Sequence, residues 1–357
     1  FLVYAIRHAA LESEDGAFRG RLFTLLLDTR YRLVALLGGD PAVGGGPVRE
    51  LFLEAWGGLR GILSEAQTSG LLAKSVLRYA LFVDAGDALL ALEQAAPGLP
   101  LSADGLRRLA RTLAPAEASD PLAHGWAVDP ELARLFGFQP IPEKGSSLPF
   151  FVRTAEGERP LDRWVPARSE LGEYEKRLGA LLRSTAAAEE ARAELAAPYD
   201  AIYESLVPAT ALIESCWHQY VARGGKVTYL RSAAGSIGLM QINQHVWRGF
   251  YDVNRLRWDT AYNARAGAQI LLRYVKDYAI PYAEKAGDPR RVPRAAYAVY
   301  NAGPRAAGRF DRPKPHPREA RVDEKLWTLF QGLAAGGEAD LETCGVRPAR
   351  AAAAARS

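Results

Sequence analysis

Cysteine is scarce in this sequence, which holds only Cys216 and Cys344 among its 357 residues. Two cysteines exclude a disulfide-dense scaffold and a cysteine-rich metal site, although they allow one disulfide bond in an oxidising compartment. The five histidines form no cluster with the spacing of metal ligands. We therefore predict neither a bound metal nor any other cofactor.

Long apolar runs are also missing. None approaches the roughly 20 residues that a membrane-spanning helix needs, and the apolar start of the chain gives way at once to Arg7 and His8. The 45 lysines and arginines exceed the 41 aspartates and glutamates by only four, an excess too small to indicate a nucleic-acid-binding surface. We expect a soluble protein that binds no nucleic acid.

Apolar residues at helical spacing dominate the sequence, with strand-like alternation nearly confined to "KVTYL" at 226–230. In the first part of the chain Leu51, Ala55, Leu59 and Leu63 recur on one helix face. The fold class is therefore predicted to be mainly α. The predicted regions are a helical accessory domain at 1–140, a proline-rich junction and connecting helix at 141–195, a second helical domain at 196–335 and a low-complexity tail at 336–357.

The second domain begins with a helix that carries the first candidate for chemistry. Its apolar stripe predicts an amphipathic helix, and Pro208 within it predicts a kink or a break. Glu214 lies beside this stripe, next to Ile213 and Cys216. Loss of water would raise the pKa of such a carboxyl group, which suits a general acid, whereas a solvated glutamate on an amphipathic helix is the plainer alternative. The stripe comprises Ile202, Leu206, Ala209, Ile213 and Trp217.

Two further segments carry uncharged polar groups suited to a sugar. In "SAAGSIGLMQIN" at 232–243, glycines such as Gly238 allow close backbone approach, and Ser232, Gln241 and Asn243 offer hydrogen bonds without charge. Alone, this segment is also typical of a glycine-rich turn. The sequence "AAYAVYNAGP" at 295–304 adds Tyr297, Tyr300 and Asn301, although it equally fits an aromatic helix face ended by a glycine cap.

Four segments of the second domain resemble, in order, the motifs of the soluble lytic transglycosylase (SLT) family. They are Glu214-Ser215, Ser232 through Asn243, Asn263 with Gly267, and Tyr300-Asn301-Ala302-Gly303. The resemblance covers about residues 195–335. It implies a goose-lysozyme-like catalytic domain that cleaves peptidoglycan, preceded here by a separate helical domain.

The resemblance also implies roles for individual residues. Glu214 would be the catalytic acid and base, and Met240 would pack near the sugar. Tyr300 and Asn301 would close the site. The predicted substrate-binding set is Ser232, Gly238, Met240, Gln241, Asn243, Tyr297, Tyr300 and Asn301.

The sequence departs from the family pattern in one respect. Ser232 follows Glu214 by 18 positions, a longer gap than the one in the compact family pattern. The extra residues bring aromatic side chains, which stack on sugar faces and could roof the groove. The aromatic residues are Trp217, Tyr220 and Tyr229. The same segment contains His218, four residues after Glu214, which either takes part in the chemistry or has a structural role.

The sequence holds no aspartate or glutamate between Glu214 and Asp252, although glycoside hydrolases usually need a second carboxylate. A single acid still suffices if the N-acetyl group of muramic acid shields the developing cation and the C6 hydroxyl then attacks. The predicted activity is therefore non-hydrolytic cleavage of the β-1,4 bond between MurNAc and GlcNAc to give 1,6-anhydroMurNAc ends.

Two alternatives remain open. A lysozyme-type hydrolase would recruit Glu204, Asp252 or Asp259 as its second carboxylate, and an inactive peptidoglycan-binding protein would use its helical first domain instead. The family resemblance further implies glycan strands as the partner and a periplasmic or cell-envelope location, with no signal peptide in the sequence as given. Envelope proteins are candidate partners of the first domain. In an oxidising periplasm we expect Cys216 and Cys344 to form one disulfide bond.

Overall fold

The computed structural model describes residues 2–38, 45–71, 127–142, 159–341 and 344. These residues are mainly helical, with few short strands, which confirms the predicted fold class. Much of the predicted accessory domain, residues 143–158 of the junction and most of the tail lie outside the described residues. The chain divides into two compact units, the first formed by 1–140 with 245–253 and the second by 141–244 with 254–357.

The first unit contains four described helices. In α3, the predicted face of Leu51, Ala55, Leu59 and Leu63 is buried, as the spacing predicts. Helix α4 begins at an aspartate cap, since the Asp129 carboxylate accepts hydrogen bonds from the first backbone amides of the helix. The helices are α1 (Leu2–Leu11), α2 (Gly16–Gly38), α3 (Gly45–Thr68) and α4 (Pro130–Leu135).

An aromatic cluster forms part of the core of the first unit. The Phe138 ring lies 5.5 Å from that of Trp247 and 5.4 Å from that of Phe250. Buried Arg30 donates hydrogen bonds to the backbone oxygens of Val246 and Arg248 at 2.7 and 3.1 Å. Residues 245–253 thus complete the first unit, although the sequence pattern places them within the second predicted domain.

The second unit is a helical body with two small β-hairpins. No helix among the described residues of the protein is both long and apolar enough to cross a membrane. The helices are α5 (Leu171–Ala193), α6 (Tyr199–Ser215), α7 (Val253–Trp258, whose first residue belongs to the first unit), α8 (Thr260–Tyr274), α9 (Ile280–Lys285), α10 (Val292–Ala302) and α11 (Pro317–Ala334), with a π-helical turn at Val275–Ala279. The strands are β1 (Tyr220–Arg223), β2 (Lys226–Tyr229), β3 (Ser236–Ile237) and β4 (Ile242–Asn243), paired β1 with β2 and β3 with β4.

Helix α6 lies at the centre of the second unit and packs against α5, α8, α10 and α11. It continues without a break through Pro208, so a proline here does not end the helix as the sequence suggested it could. The indole Nε1 of Trp217 donates to the backbone oxygen of Pro208 at 3.0 Å, which ties the segment after the helix to its middle. The helix ends at Ser215, and its cap residue Cys216 has a left-handed backbone with φ of 51°.

Cys216 and Cys344 lie 128 positions apart in the chain and are joined in a disulfide bond, with their Cα atoms 5.6 Å apart. This agrees with the pairing expected from the sequence. The bond ties the chain beyond α11 to the end of α6, two residues after Glu214.

Replacing both cysteines by serine should lower the free energy of unfolding by roughly 2–5 kcal/mol, because a closed loop of this length removes much entropy from the unfolded chain. Chemical unfolding with and without a reductant measures the loss. The double variant is its own control, because a reductant should destabilise the wild type and leave the variant unchanged. Two thiols that react readily in the native, unreduced protein would contradict the disulfide.

Candidate active site

Glu214 lies in the last turn of α6, and its side chain is half-buried. Its Oε1 accepts a hydrogen bond of 2.9 Å from the hydroxyl group of Tyr297, which is buried on α10. Burial raises the pKa of Glu214 to about 7, against the opposing effects of the Tyr297 hydrogen bond and the positive charge of Arg309. This confirms the direction predicted from the sequence. A carboxyl group with this pKa can donate and accept a proton near neutral pH.

The segment 232–243 folds into a tight turn built around the β3–β4 hairpin, in which Ser236 pairs with Asn243. Gly238 and Gln241 both have left-handed backbones, with φ of 71° and 45°. A Cβ atom on Gly238 would overlap Gln219 Oε1 and would lie 2.6 Å from Asn263 Nδ2. Glycine is therefore required at 238 both by the backbone and by the space around it.

Two buried amides hold this turn in place. Gln219 Oε1 accepts the Leu239 N–H at 2.7 Å, and Asn263 Oδ1 accepts the Met240 N–H at 2.9 Å. Their amide nitrogens donate to backbone oxygens, and both bond the oxygen of Leu256. Both side chains are fully buried and bonded at both ends, so they give the turn one geometry.

The sequence gives no role to Gln219, which is one polar residue within an aromatic segment. Asn263 belongs to a motif of the family resemblance, which implies no role for it. The single available signal was an uncharged amide beside apolar residues. Such an amide must find partners if it is buried, but the sequence does not say which ones.

The prediction that Met240 packs near the sugar does not fit its position, because its side chain is fully buried. A Cβ atom on Gly267 would lie 2.5 Å from the Met240 Cβ. The methionine therefore packs on α8 at a point where only glycine leaves enough room. It fixes the turn against the helix from the inside.

Tyr300 has a similar supporting position. Its ring is buried and its hydroxyl group donates to the backbone oxygen of Met240 at 2.6 Å. Ser215, next to Glu214, donates its hydroxyl proton to the backbone oxygen of Leu239 at 2.6 Å. The two bonds join α6 and α10 to the same turn, and they fix the turn relative to the helix that carries Glu214.

Four polar residues of the predicted set keep exposed surface: Ser232, Gln241, Asn243 and Asn301. Ser232 Oγ accepts from the Ser236 N–H at 3.0 Å and keeps its own proton as a donor. Gln241 Nε2 donates to the Gly238 oxygen at 2.7 Å, and Asn243 Nδ2 donates to that of Ala234 at 2.9 Å. These bonds orient the amides while their surfaces stay accessible.

The segment between Glu214 and Ser232 forms the β1–β2 hairpin. Its predicted role as an aromatic roof does not fit Trp217 and Tyr220, whose side chains are both 1% exposed. Tyr220 and Tyr229 pair across the hairpin, and both rings contact Trp258. His218 Nδ1 lies 2.6 Å from the backbone oxygen of Cys216, which gives this histidine a structural role.

The second carboxylate required by a hydrolase has three candidates in the sequence. Glu204 is exposed on α6, ten residues before Glu214, which is about 15 Å along a helix. Asp259 is buried as the cap of α8, where its carboxylate accepts the Tyr262 N–H at 3.0 Å. Asp252 belongs to the first unit. Besides burial, the pKa of Glu214 responds to Tyr297 and Arg309, and neither is a carboxylate.

The candidate site combines a half-buried glutamate, a tyrosine on its carboxyl group and a polar turn held by buried amides, all within a mainly helical unit. Residues 194–320 match the family model described as transglycosylase SLT domain, which supports an SLT-family, lysozyme-like domain in this part of the chain. The match supports an enzyme of the lytic transglycosylase type that acts on peptidoglycan. It includes the segment 245–253, which lies in the first unit. No curated protein and no solved structure matches the chain.

Proposed function

We propose that the protein is a lytic transglycosylase that cleaves the β-1,4 bond between MurNAc and GlcNAc without water. The observation that supports this best is the setting of Glu214, with a pKa raised to about 7 and a tyrosine on its carboxyl group. A group of this kind serves as acid in one step and base in the next. The natural location for such an enzyme is the periplasm or the cell envelope.

The reaction has two steps. Protonated Glu214 gives its proton to the glycosidic oxygen, the C1–O4 bond breaks, and the oxygen of the MurNAc N-acetyl group bonds to C1. Glu214, now a carboxylate, takes the proton of the C6 hydroxyl group, O6 bonds to C1, and the bond from the acetyl oxygen breaks. The products are a GlcNAc end with a free 4-hydroxyl group and a 1,6-anhydroMurNAc end, and Glu214 is protonated again.

The exposed polar groups of Ser232, Gln241, Asn243 and Asn301 provide hydrogen bonds to sugar hydroxyl and acetamido groups in this proposal. Gly238 contributes the backbone shape that brings Gln241 into place. Met240 and Tyr300 support the turn from behind. The first unit would bind a protein of the envelope and so place the enzyme on its substrate.

Product analysis tests the proposal directly. Purified sacculi digested with the full-length protein should release muropeptides that end in 1,6-anhydroMurNAc, each lighter than its hydrolytic counterpart by one water molecule, as seen by mass spectrometry. Borohydride reduction is a second check, because it modifies reducing ends and leaves anhydro ends unchanged. Reducing-end products would make the protein a hydrolase. Binding to sacculi without release would favour the inactive binding protein.

A further inference from the structure

Arg309 and Asp323 form a buried ion pair in the second unit, with relative exposures of 1% and 3%. The contact is bidentate, since Arg309 Nε lies 3.0 Å from Asp323 Oδ2 and Nη2 lies 2.6 Å from Oδ1. The remaining nitrogen, Nη1, donates to Asn301 Oδ1 at 2.9 Å. One guanidinium group therefore joins α10, α11 and the short helix Arg309–Asp311.

The pair lies close to the candidate catalytic group. Tyr297 and Asn301 are four residues apart on α10 and so share one helix face. Asn301 binds Arg309, and Tyr297 binds Glu214. The charge of Arg309 acts on both members of the Glu214–Tyr297 contact, and that of Asp323 acts on Tyr297.

The stability of the fold does not explain this pair well. Removing two charges from water costs several kcal/mol for each ion, and well-packed apolar residues of similar volume often replace a buried ion pair without loss. Two apolar side chains could join the short helix and α11 equally well. The pair adds something that apolar residues lack, namely a fixed charge beside Glu214.

We propose that Arg309 and Asp323 act as a positioning pair, which holds Tyr297 against Glu214 and supplies a positive field that favours the carboxylate form of Glu214. The proposal rests on the proposed function, in which Glu214 must lose a proton in the first step and regain one in the second. Burial alone favours the protonated form, and the field of Arg309 offsets part of that preference. Asp323 keeps the field moderate by partly neutralising it.

Within the part of the chain that the structure describes, the groups that act on the charge of Glu214 are Tyr297 and Arg309. Tyr297 of α10 bonds it, the charge of Arg309 on the short helix acts on it, and Asp323 of α11 is bonded to Arg309. The turn at 232–243 contributes no titratable side chain. A change at Arg309 or Asp323 should therefore have a visible effect on the protonation of Glu214.

Two variants of the full-length protein should shift the pH dependence in opposite directions. Cleavage needs protonated Glu214, so kcat/KM should fall as pH rises through its pKa of about 7. Asp323→Asn removes the negative charge that partly neutralises Arg309, so the pKa of Glu214 should fall. The alkaline limb should then move to lower pH by about half a unit, which is about a threefold loss of activity at a pH on the limb. Arg309→Gln combined with Asp323→Asn removes the field and should move the limb up by a similar amount. Arg309→Lys keeps the positive charge, so its alkaline limb should stay near that of the wild type.

The matched control is a second ion pair in the same unit, in which half-buried Arg265 Nε lies 2.8 Å from Oε1 of buried Glu189. Arg265→Gln with Glu189→Gln should leave the limb in place. The Glu214 carboxyl group is also titrated by carbon NMR, which needs no turnover and so separates failure of this proposal from failure of the proposed function. Shifts below about 0.2 units in folded variants, or shifts of equal sign, would overturn the proposal.

Discussion

Glu214→Gln should lower the rate of glycan cleavage at least ~100-fold, the lower end of the range for loss of a general acid or base. Glutamine has the size of glutamate, and its amide oxygen can still accept the hydrogen bond from the Tyr297 hydroxyl group, so the contact at 2.9 Å can persist. What it lacks is the proton that titrates with a pKa of about 7. Folding and binding to sacculi should change little. Release of soluble muropeptides over time measures the effect.

Glu204→Gln is the matched control for this experiment. It makes the same chemical change on the same helix, at an exposed position. Its rate should lie close to that of the wild type. A Glu214→Gln variant that cleaves at nearly the wild-type rate would show that the acid and base lie elsewhere. Equal large losses in both variants would point to damage to α6 instead of lost chemistry.

Gly238→Ala should destabilise the protein by roughly 2–4 kcal/mol and abolish most cleavage. About 1 kcal/mol comes from placing alanine in a left-handed backbone, and overlap in a packed site adds about 1–3 kcal/mol. The added methyl group would overlap Gln219 Oε1 and crowd Asn263 Nδ2, which are the two amides that hold the turn. Chemical denaturation gives the free energy of unfolding, and muropeptide release gives the activity.

Gly225→Ala separates the two contributions. Gly225 lies at the tip of the β1–β2 hairpin with φ of 73°, nearly the value of Gly238, but a Cβ atom there would meet nothing within 4 Å. It should cost only about 1 kcal/mol of backbone strain and leave cleavage intact. Equal costs at 225 and 238 would mean that the amides move aside and do not define the turn.

The helical architecture could be predicted from the sequence because the helices bury regular faces. The spacing of Leu51, Ala55, Leu59 and Leu63 is such a face, and each of the four is buried. The raised pKa of Glu214 could also be predicted, since an acidic residue beside an apolar stripe loses water when the stripe packs. The short strand at 226–229 follows from β-branched and aromatic residues that adjoin two glycines.

The roles of the residues around Glu214 were harder to predict. Met240 and Tyr300 stand in the motifs beside polar residues, yet both pack behind the turn. Gly267 of α8 leaves room for the methionine, and the Tyr300 hydroxyl bonds the backbone oxygen of Met240. Trp217 and Tyr220 could have been a roof or a core, and burial makes them core. A motif gives the residue types that lie near one another, but not which of them face solvent.

By itself, the sequence determined the helical class, the candidate acid Glu214 and the family resemblance, because these depend on residue types and spacings within short segments. Tertiary structure alone decided the partners of these residues: Tyr297 for Glu214, Gln219 and Asn263 for the turn, Arg309 for Asp323. It also placed the segment 245–253 in the first unit. Contacts between distant segments depend on how whole helices pack, and local periodicity carries no record of which faces meet.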